Sequence, residues 1–307
     1  MPHQSVLVSE ILRLLDLKPG AVVLDGTLGS GGHSQAMLEK IGPGGRLIGL
    51  DQDPASIKRT QELLGADKRV TLQSINFEHA GLVLEKLNIP AVHAVLIDIG
   101  FSSEQIEDPA RGFSFDRSGP LDMRMNPENP VSARELVQTL SEDELEKIFR
   151  EYGEERWARR FAETICRARP ARRIETTDDL IEILESALSK NWRRPKGRRP
   201  ANRRRHFATR VFQALRIAVN DELGVLRRGL VHLWNHVKPG GRLAVISFHS
   251  LEDRIVKYQF RDWARSGEGR LINKKPAVAG QEERRTNPRS RSAKLRVIEK
   301  SEGGIKA

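Results

Sequence analysis

The first hundred residues alternate short apolar runs with helical patterns, and this alternation is the feature that most restricts the fold. Four of the apolar runs are predicted to be strands: residues 21–25, 46–51, 69–73 and 91–99. Helical patterns lie between them, and Pro54 opens one of these helices at a position where a missing N–H costs nothing. Strand, helix and strand in succession predict a parallel sheet covered by helices on both faces, which is an α/β doubly wound fold.

The alternation stops after the fourth predicted strand. Residues 102–140 are rich in Gly, Pro, Asp and Arg and look irregular. Capping boxes that begin at Ser141 and Thr176 then predict two helices, and a long helical pattern covers 207–237.

The strand pattern returns near the end of the chain, at residues 242–248 and 294–299. Ser250 is predicted to cap the helix between them, with Asp253 as the fourth residue of its capping box. We therefore expect a sheet domain in two parts, residues 1–105 and 207–307, with a mainly helical insert at 106–206.

A glycine-rich loop joins the first predicted strand to the first helix, with the sequence DGTLGSGGH at 25–33. Asp51 ends the second strand, where an acid can accept hydrogen bonds from both hydroxyls of a ribose. The loop lacks the G-x-G-x-x-G spacing of dinucleotide sites, and Asp25 would repel a phosphate at the helix N-terminus. The pattern therefore favours S-adenosylmethionine, which carries an amine and a sulfonium, over NAD.

The fourth predicted strand ends in Asp98 and is followed by Phe101. In open α/β sheets, ligands bind outside the carboxyl ends of the strands. Asp98 could accept a hydrogen bond from an exocyclic amine, and Phe101 could stack on a base. Alternatively, Asp98 caps a loop and Phe101 lies in the core.

The single cysteine, Cys166, lies in a predicted helix far along the chain from the strand ends. Methylation at pyrimidine C5 needs a cysteine nucleophile, whereas an isolated helical cysteine is usually a small core residue. An amine or hydroxyl acceptor is therefore favoured over a ring carbon. A lone cysteine also fits a reduced, cytoplasmic protein.

The chain carries 52 Lys and Arg residues against 41 Asp and Glu, a net charge of +11, which favours a polyanionic partner. Residues 193–205 contain eight basic residues and no acid, and Arg203, Arg204 and Arg205 are the best candidates for RNA contact. Phosphate contact competes here with a simple solvated surface. We expect no membrane span, because no stretch reaches about 18 apolar residues, and we find no metal-ligand cluster.

Nine sequence blocks identify a resemblance that covers nearly the whole chain. The blocks are DGTLGSGGHS at 25–34, DQDP at 51–54, RGFSF at 111–115, GPLDMRM at 119–125, YGEER at 152–156, ATR at 208–210, FQA at 212–214, ISFHSLEDR at 246–254 and NPR at 287–289. With these blocks in this order, the chain resembles the bacterial 16S rRNA cytosine-N4 methyltransferase family.

The resemblance implies a Rossmann-like class I methyltransferase sheet with a helical substrate domain inserted after the fourth strand. It implies a target cytidine in the decoding region of the small ribosomal subunit. It also implies a methyl-donor site formed by Gly31, Gly32, His33, Asp51, Phe77, Asp98 and Gln105. All except Gln105 fall at the strand ends and loops where the residue patterns already predict a cofactor site.

The expected reaction is direct transfer of the sulfonium methyl group to cytosine N4, with Asp98 as the best candidate for a catalytic group. Two other functions stay open at this point: a non-catalytic RNA-binding assembly factor, and a nicotinamide-dependent dehydrogenase.

Overall fold

The computed structural model describes residues 4–188 and 207–303, and the chain divides into two compact units. The first unit comprises Met1–Ser102 and Leu223–Ala307, and the second comprises Ser103–Glu222.

The strands of the described residues all belong to one sheet in the first unit. They are β1 (Val22–Asp25), β2 (Arg46–Asp51), β3 (Val70–Ser74), β4 (Val92–Asp98), β5 (Val237–Ser247), β6 (Gly269–Leu271) and β7 (Lys294–Lys300). The helices, in chain order, are α1 (Val8–Leu15), α2 (Gly32–Ile41), α3 (Pro54–Leu64), α4 (Ala80–Lys86), α5 (Ser103–Glu107), α6 (Ala133–Thr139), α7 (Glu142–Glu151), α8 (Ala158–Ala168), α9 (Thr177–Ser186), α10 (Thr209–Asn220), α11 (Glu222–His236), α12 (Ser250–Arg265) and α13 (Gln281–Thr286). None of these helices is long and apolar enough to cross a bilayer.

The sheet has the strand order β3-β2-β1-β4-β5-β7-β6. Strands β1 to β5 are parallel, and β7 runs antiparallel to both β5 and β6. The order reverses between β1 and β4, and this switch point is where ligands bind in doubly wound sheets. The predicted α/β doubly wound fold is therefore confirmed.

Apolar layers cover both faces of the sheet because strand side chains alternate in direction. Leu24 and Val95 contribute to one layer, together with helices α4, α11 and α12. Val23 and Leu96 contribute to the other, together with α1 and α2. The rigid sheet therefore fixes the positions of the loops at its carboxyl edge.

Two predicted helix boundaries differ from the structure. Asp221, at φ 45°, interrupts the helix predicted over 207–237 and separates α10 from α11. The capping box of α12 is formed by His249 and Glu252, one residue earlier than predicted. Asp253 is instead paired with Arg296, whose Nε lies 2.7 Å from Asp253 Oδ1.

Helix α10 belongs to the second unit, whereas the predicted boundary between residues 206 and 207 assigned it to the sheet domain. Asn220 explains the difference. Its Oδ1 accepts a hydrogen bond from Met125 N at 2.7 Å, and its Nδ2 donates to Met123 O at 2.8 Å. Gln213 Nε2 also donates to Tyr152 O at 3.0 Å. These bonds tie the helix to segments of the second unit that are distant in sequence. A local sequence pattern does not reveal such contacts.

Candidate functional site

Three neighbouring parallel strands each deliver an aspartate to the carboxyl edge of the sheet. Asp25 ends β1, Asp51 ends β2 and Asp98 ends β4. In register, Asp25 lies opposite Gly49 and Leu96, so β2 and β4 both extend two residues beyond the end of β1. Asp51 and Asp98 therefore stand on either side of the short central strand, with the glycine loop between them.

The glycine loop turns sharply from β1 into α2. Gly29 and Gly31 have φ values of 54° and 82°, in the left-handed region that glycine adopts at little cost. A Cβ on Gly31 would lie 2.9 Å from Thr60 Cγ2, and one on Gly32 would collide with Ser5 Oγ. The backbone therefore passes close to its neighbours where a side chain would not fit.

Asp51 holds this loop with one carboxylate oxygen and the turn after its own strand with the other. Oδ2 accepts a hydrogen bond from Gly29 N at 2.8 Å, and Oδ1 accepts one from Asp53 N at 2.8 Å. A carboxylate has about four lone-pair sites, so about two remain for a ligand. Burial raises the pKa of Asp51 to about 6, against the lowering effect of these two backbone N–H groups.

Asp25 supports the loop from inside the protein. Its side chain is fully buried, Oδ2 accepts a hydrogen bond from Ser34 Oγ at 2.7 Å, and Oδ1 accepts one from Thr27 N at 3.2 Å. Burial raises the pKa of Asp25. Its role is therefore to shape the turn, and a direct contact with the cofactor amine is not available to a side chain so enclosed.

His33 and Asp98 form a pair at the start of α2. His33 Nε2 lies 2.8 Å from Val6 O, and Nδ1 lies 3.6 Å from Asp98 Oδ2. Because a carbonyl oxygen only accepts hydrogen bonds, Nε2 must carry a proton. Nδ1 therefore faces the Asp98 carboxyl group at a distance slightly longer than a hydrogen bond.

The second oxygen of Asp98, Oδ1, is buried and has no hydrogen-bond partner among the residues that the structure describes. The backbone N of Asp98 donates to Thr27 Oγ1 at 2.6 Å, which fixes the end of β4. Burial raises the pKa of Asp98 to about 6; His33 opposes this rise, and the nearby carboxylate of Asp25 adds to it. An orphaned buried oxygen at the ligand-binding edge is a site for a donor that is not part of the chain.

Phe77 is held just after the end of β3, in a short turn of Phe77–His79 capped by Asn76. The ring packs against Gly229 of α11, where a Cβ would collide with Phe77 Cε2. Asn76 Nδ2 donates to Gln52 Oε1 at 2.9 Å, which ties the end of β3 to the residue after Asp51.

The structure thus brings six of the seven expected donor-site residues to one edge of the sheet: Gly31, Gly32, His33, Asp51, Phe77 and Asp98. The seventh, Gln105, is a buried residue of α5 in the second unit. Phe101 is half-buried rather than enclosed in the core. Arg203, Arg204 and Arg205 lie outside the described residues.

Thr27 and Ser34 were missed by the sequence interpretation. The Thr27 hydroxyl accepts a hydrogen bond from Asp98 N, and the Ser34 hydroxyl donates one to Asp25 Oδ2; both residues lie in the segment at 25–34. The sequence signal that could have identified them is a hydroxyl residue two and nine positions after Asp25, the acid at the end of β1.

The sheet is doubly wound, and at its switch point it carries a glycine loop and an acid, Asp51, placed to bind a ribose. These features are typical of the class of nucleoside-binding α/β enzymes. Comparison with known proteins identifies the family: residues 1–301 match the MraW methylase family, and the chain belongs to it. The resemblance found in the sequence blocks is therefore confirmed.

Three relatives named Ribosomal RNA small subunit methyltransferase H illustrate the match. The protein of Symbiobacterium thermophilum is 45% identical over 321 residues, covering 99% of this chain and 98% of the relative. The proteins of Heliobacterium modesticaldum and Geobacter sulfurreducens are 45% and 46% identical, each covering 97% of this chain and 98% of the relative.

Proposed function

We propose that this protein transfers the methyl group of S-adenosylmethionine to the N4 amine of a cytidine in the decoding region of 16S rRNA. Membership of the MraW methylase family and relatives named as small-subunit rRNA methyltransferases support the reaction class and the rRNA substrate. The observation that carries the proposal is the carboxyl edge itself, where Asp51 and Asp98 flank the glycine loop.

The residues at this edge fit S-adenosylmethionine. Asp51 keeps lone pairs for the two ribose hydroxyls while it holds Gly29. Gly31 and Gly32 leave bare backbone for close approach, and Phe77 offers an apolar surface. The acids Asp51 and Asp98 favour a ligand with positive charge over one with phosphates. When bound, the cofactor supplies an electrophilic methyl group on a positively charged sulfur.

Cytosine N4 is a weak nucleophile because its lone pair is delocalised into the ring. The protein must therefore position the amine for in-line attack and increase its electron density. Asp98 Oδ1 is suited to accept a hydrogen bond from the amine N–H, and the amine loses a proton once it is methylated. His33, held by Val6 O, lies 3.6 Å from the other Asp98 oxygen. The base has to be turned out of its stack to reach such an edge.

The position of the single cysteine supports nitrogen rather than carbon as the acceptor. Cys166 lies in α8 of the second unit, where burial raises the pKa of its thiol. A protonated, half-buried thiol is poorly suited to the nucleophilic role that C5 methylation requires.

The partner is 16S rRNA or the small ribosomal subunit, and the protein acts in the cytoplasm, where ribosomes are assembled. We assign RNA recognition to the helical second unit and to the basic residues 193–205. Replacing Arg203, Arg204 and Arg205 by Ala should flatten the slope of log affinity against log salt by about 2–3 units, with cofactor affinity unchanged.

Calorimetry with S-adenosylmethionine and with NAD tests the proposal against both alternative functions. We expect binding of S-adenosylmethionine alone. An assembly factor without catalytic function would bind neither ligand, and a dehydrogenase would bind NAD. A methylation assay that compares free 16S rRNA with small subunits then identifies the form of the substrate.

A further inference from the structure

Helix α8 of the second unit has a buried face that anchors it firmly. Ala158, Phe161, Ala162 and Ile165 are buried, and the Trp157 ring meets the Phe161 ring edge-to-face with centroids 6.0 Å apart. The opposite side of the helix is therefore held in a fixed orientation toward solvent.

Three exposed arginines lie at the beginning of this helix: Arg156 in the preceding turn, and Arg159 and Arg160 in the first helical turn. We call them the α8 arginine cluster. Arg159 and Arg160 are consecutive residues of the first helical turn, and Arg156 directly precedes the N-cap residue Trp157. Arg156 also lies against Trp157, with its guanidinium carbon 4.9 Å from the ring centroid.

The α8 arginine cluster differs from the other arginines of the second unit. Among the residues that the structure describes, none of its three members has a carboxylate or carbonyl partner for its guanidinium group. Each of the other described arginines in this unit has one: Arg111, Arg117, Arg124, Arg134, Arg150, Arg167, Arg169, Arg172, Arg173, Arg210 and Arg216.

Two nearby acids do not neutralise the cluster. Glu155 turns its carboxylate to the backbone, where Oε1 accepts a hydrogen bond from Trp157 N at 3.0 Å. Glu163 is paired with Arg167 on the next turn of the helix. The positive charge of the cluster is therefore available to a partner.

The arrangement is unfavourable for the helix itself. Arg159 and Arg160 are cations in the first turn, where positive charge opposes the helix dipole. Helices α7 and α9 show the favourable pattern, since both have acids in the first turn and α8 has none. A negatively charged partner reverses this cost, because it is attracted both by the arginines and by the helix N-terminus.

We propose that the α8 arginine cluster binds the phosphodiester backbone of the RNA substrate. The inference rests on the proposed function for the choice of RNA as the polyanion. A guanidinium group can donate two parallel hydrogen bonds to two oxygens of one phosphate. Contacts to the phosphates position the RNA without recognising its base sequence. Trp157, half-buried under Arg156, keeps that guanidinium group in place.

The test is the salt dependence of binding by the full chain to 16S rRNA. The variant Arg156→Gln/Arg159→Gln/Arg160→Gln removes the cluster, and the control Arg134→Gln/Arg167→Gln/Arg173→Gln removes three paired, exposed arginines of the same unit. Each lost phosphate contact lowers the slope of log affinity against log salt by about 0.7–0.9. We expect the cluster variant to flatten the slope by about 2–3 units and the control to run parallel to wild type.

Stability supplies a second measurement that separates a binding role from a structural one. The cluster variant should melt at a temperature close to that of wild type, because cations that oppose the helix dipole are removed and no ion pair or hydrogen bond among the described residues is lost. A folded cluster variant whose plot of log affinity against log salt runs parallel to that of wild type would overturn the inference. Normal binding to free rRNA with weakened binding to the small subunit would also overturn it, because that result would indicate a protein partner. A wild-type chain that binds S-adenosylmethionine but no RNA would contradict the proposed function, and this inference with it.

Discussion

Replacing Asp51 by Ala tests the cofactor site most sharply. In the structure the carboxylate accepts one hydrogen bond from Gly29 N and one from Asp53 N, which leaves about two of its four lone-pair sites for a ligand. A hydrogen bond to a charged group is worth about 1.5–3 kcal/mol. Loss of the ribose contact should therefore weaken S-adenosylmethionine binding by about 10- to 150-fold.

Isothermal titration calorimetry measures this Kd directly. Asp262→Ala is the matched control, because it removes an exposed carboxylate from α12 in the same unit and should leave the Kd unchanged. Circular dichroism establishes that each variant is folded. A folded Asp51→Ala protein with a Kd within about twofold of wild type, less than 0.5 kcal/mol, would show that Asp51 does not bind the ribose.

Three further predictions follow from the same geometry. Cofactor affinity should fall as the pH drops from 7 to 5, because the pKa of Asp51 is about 6 and the protonated carboxyl group loses a hydrogen-bond acceptor. An Asp51→Asn variant that keeps the full pH dependence of cofactor affinity would refute this. Cys166→Ser should leave turnover unchanged in a radiolabel transfer assay, and loss of methylation in the folded variant would require a covalent route. Gly31→Ala should lower the free energy of unfolding by about 1–2 kcal/mol, because its φ is 82°; Gly280→Ala, with φ −65° and open space around the added Cβ, is the control for urea denaturation, and equal stabilities would contradict the argument.

Most of the sheet could be predicted because its strands are short apolar runs with clear boundaries. The capping boxes at Ser141 and Thr176 likewise mark the starts of α7 and α9 in the structure. Strand β6 was not predicted, since three residues at Gly269–Leu271 are too few for a periodic signal. The cap at His249 was also missed, because histidine is not among the residues usually expected to cap a helix.

The candidate site divides in the same way. Asp51 and Gly31 could be chosen from local pattern, because a strand-end acid and a glycine turn are both visible in the sequence. Phe77 and Gln105 came from the family resemblance: Phe77 follows the third predicted strand at the expected edge, whereas the place of Gln105 has no local signal. The contact between His33 and Val6 O has no local signal either, because it joins residues 27 positions apart through tertiary structure.

The central claim is that the methyl group reaches cytosine N4 in 16S rRNA. The most direct test incubates the protein with small subunits or 16S rRNA and S-adenosylmethionine labelled in its methyl group, digests the RNA to nucleosides and identifies the labelled nucleoside by mass spectrometry. We predict N4-methylcytidine from the decoding region. Label at C5 or on a ribose 2′-oxygen, or an unlabelled RNA despite measured cofactor binding, would contradict the account.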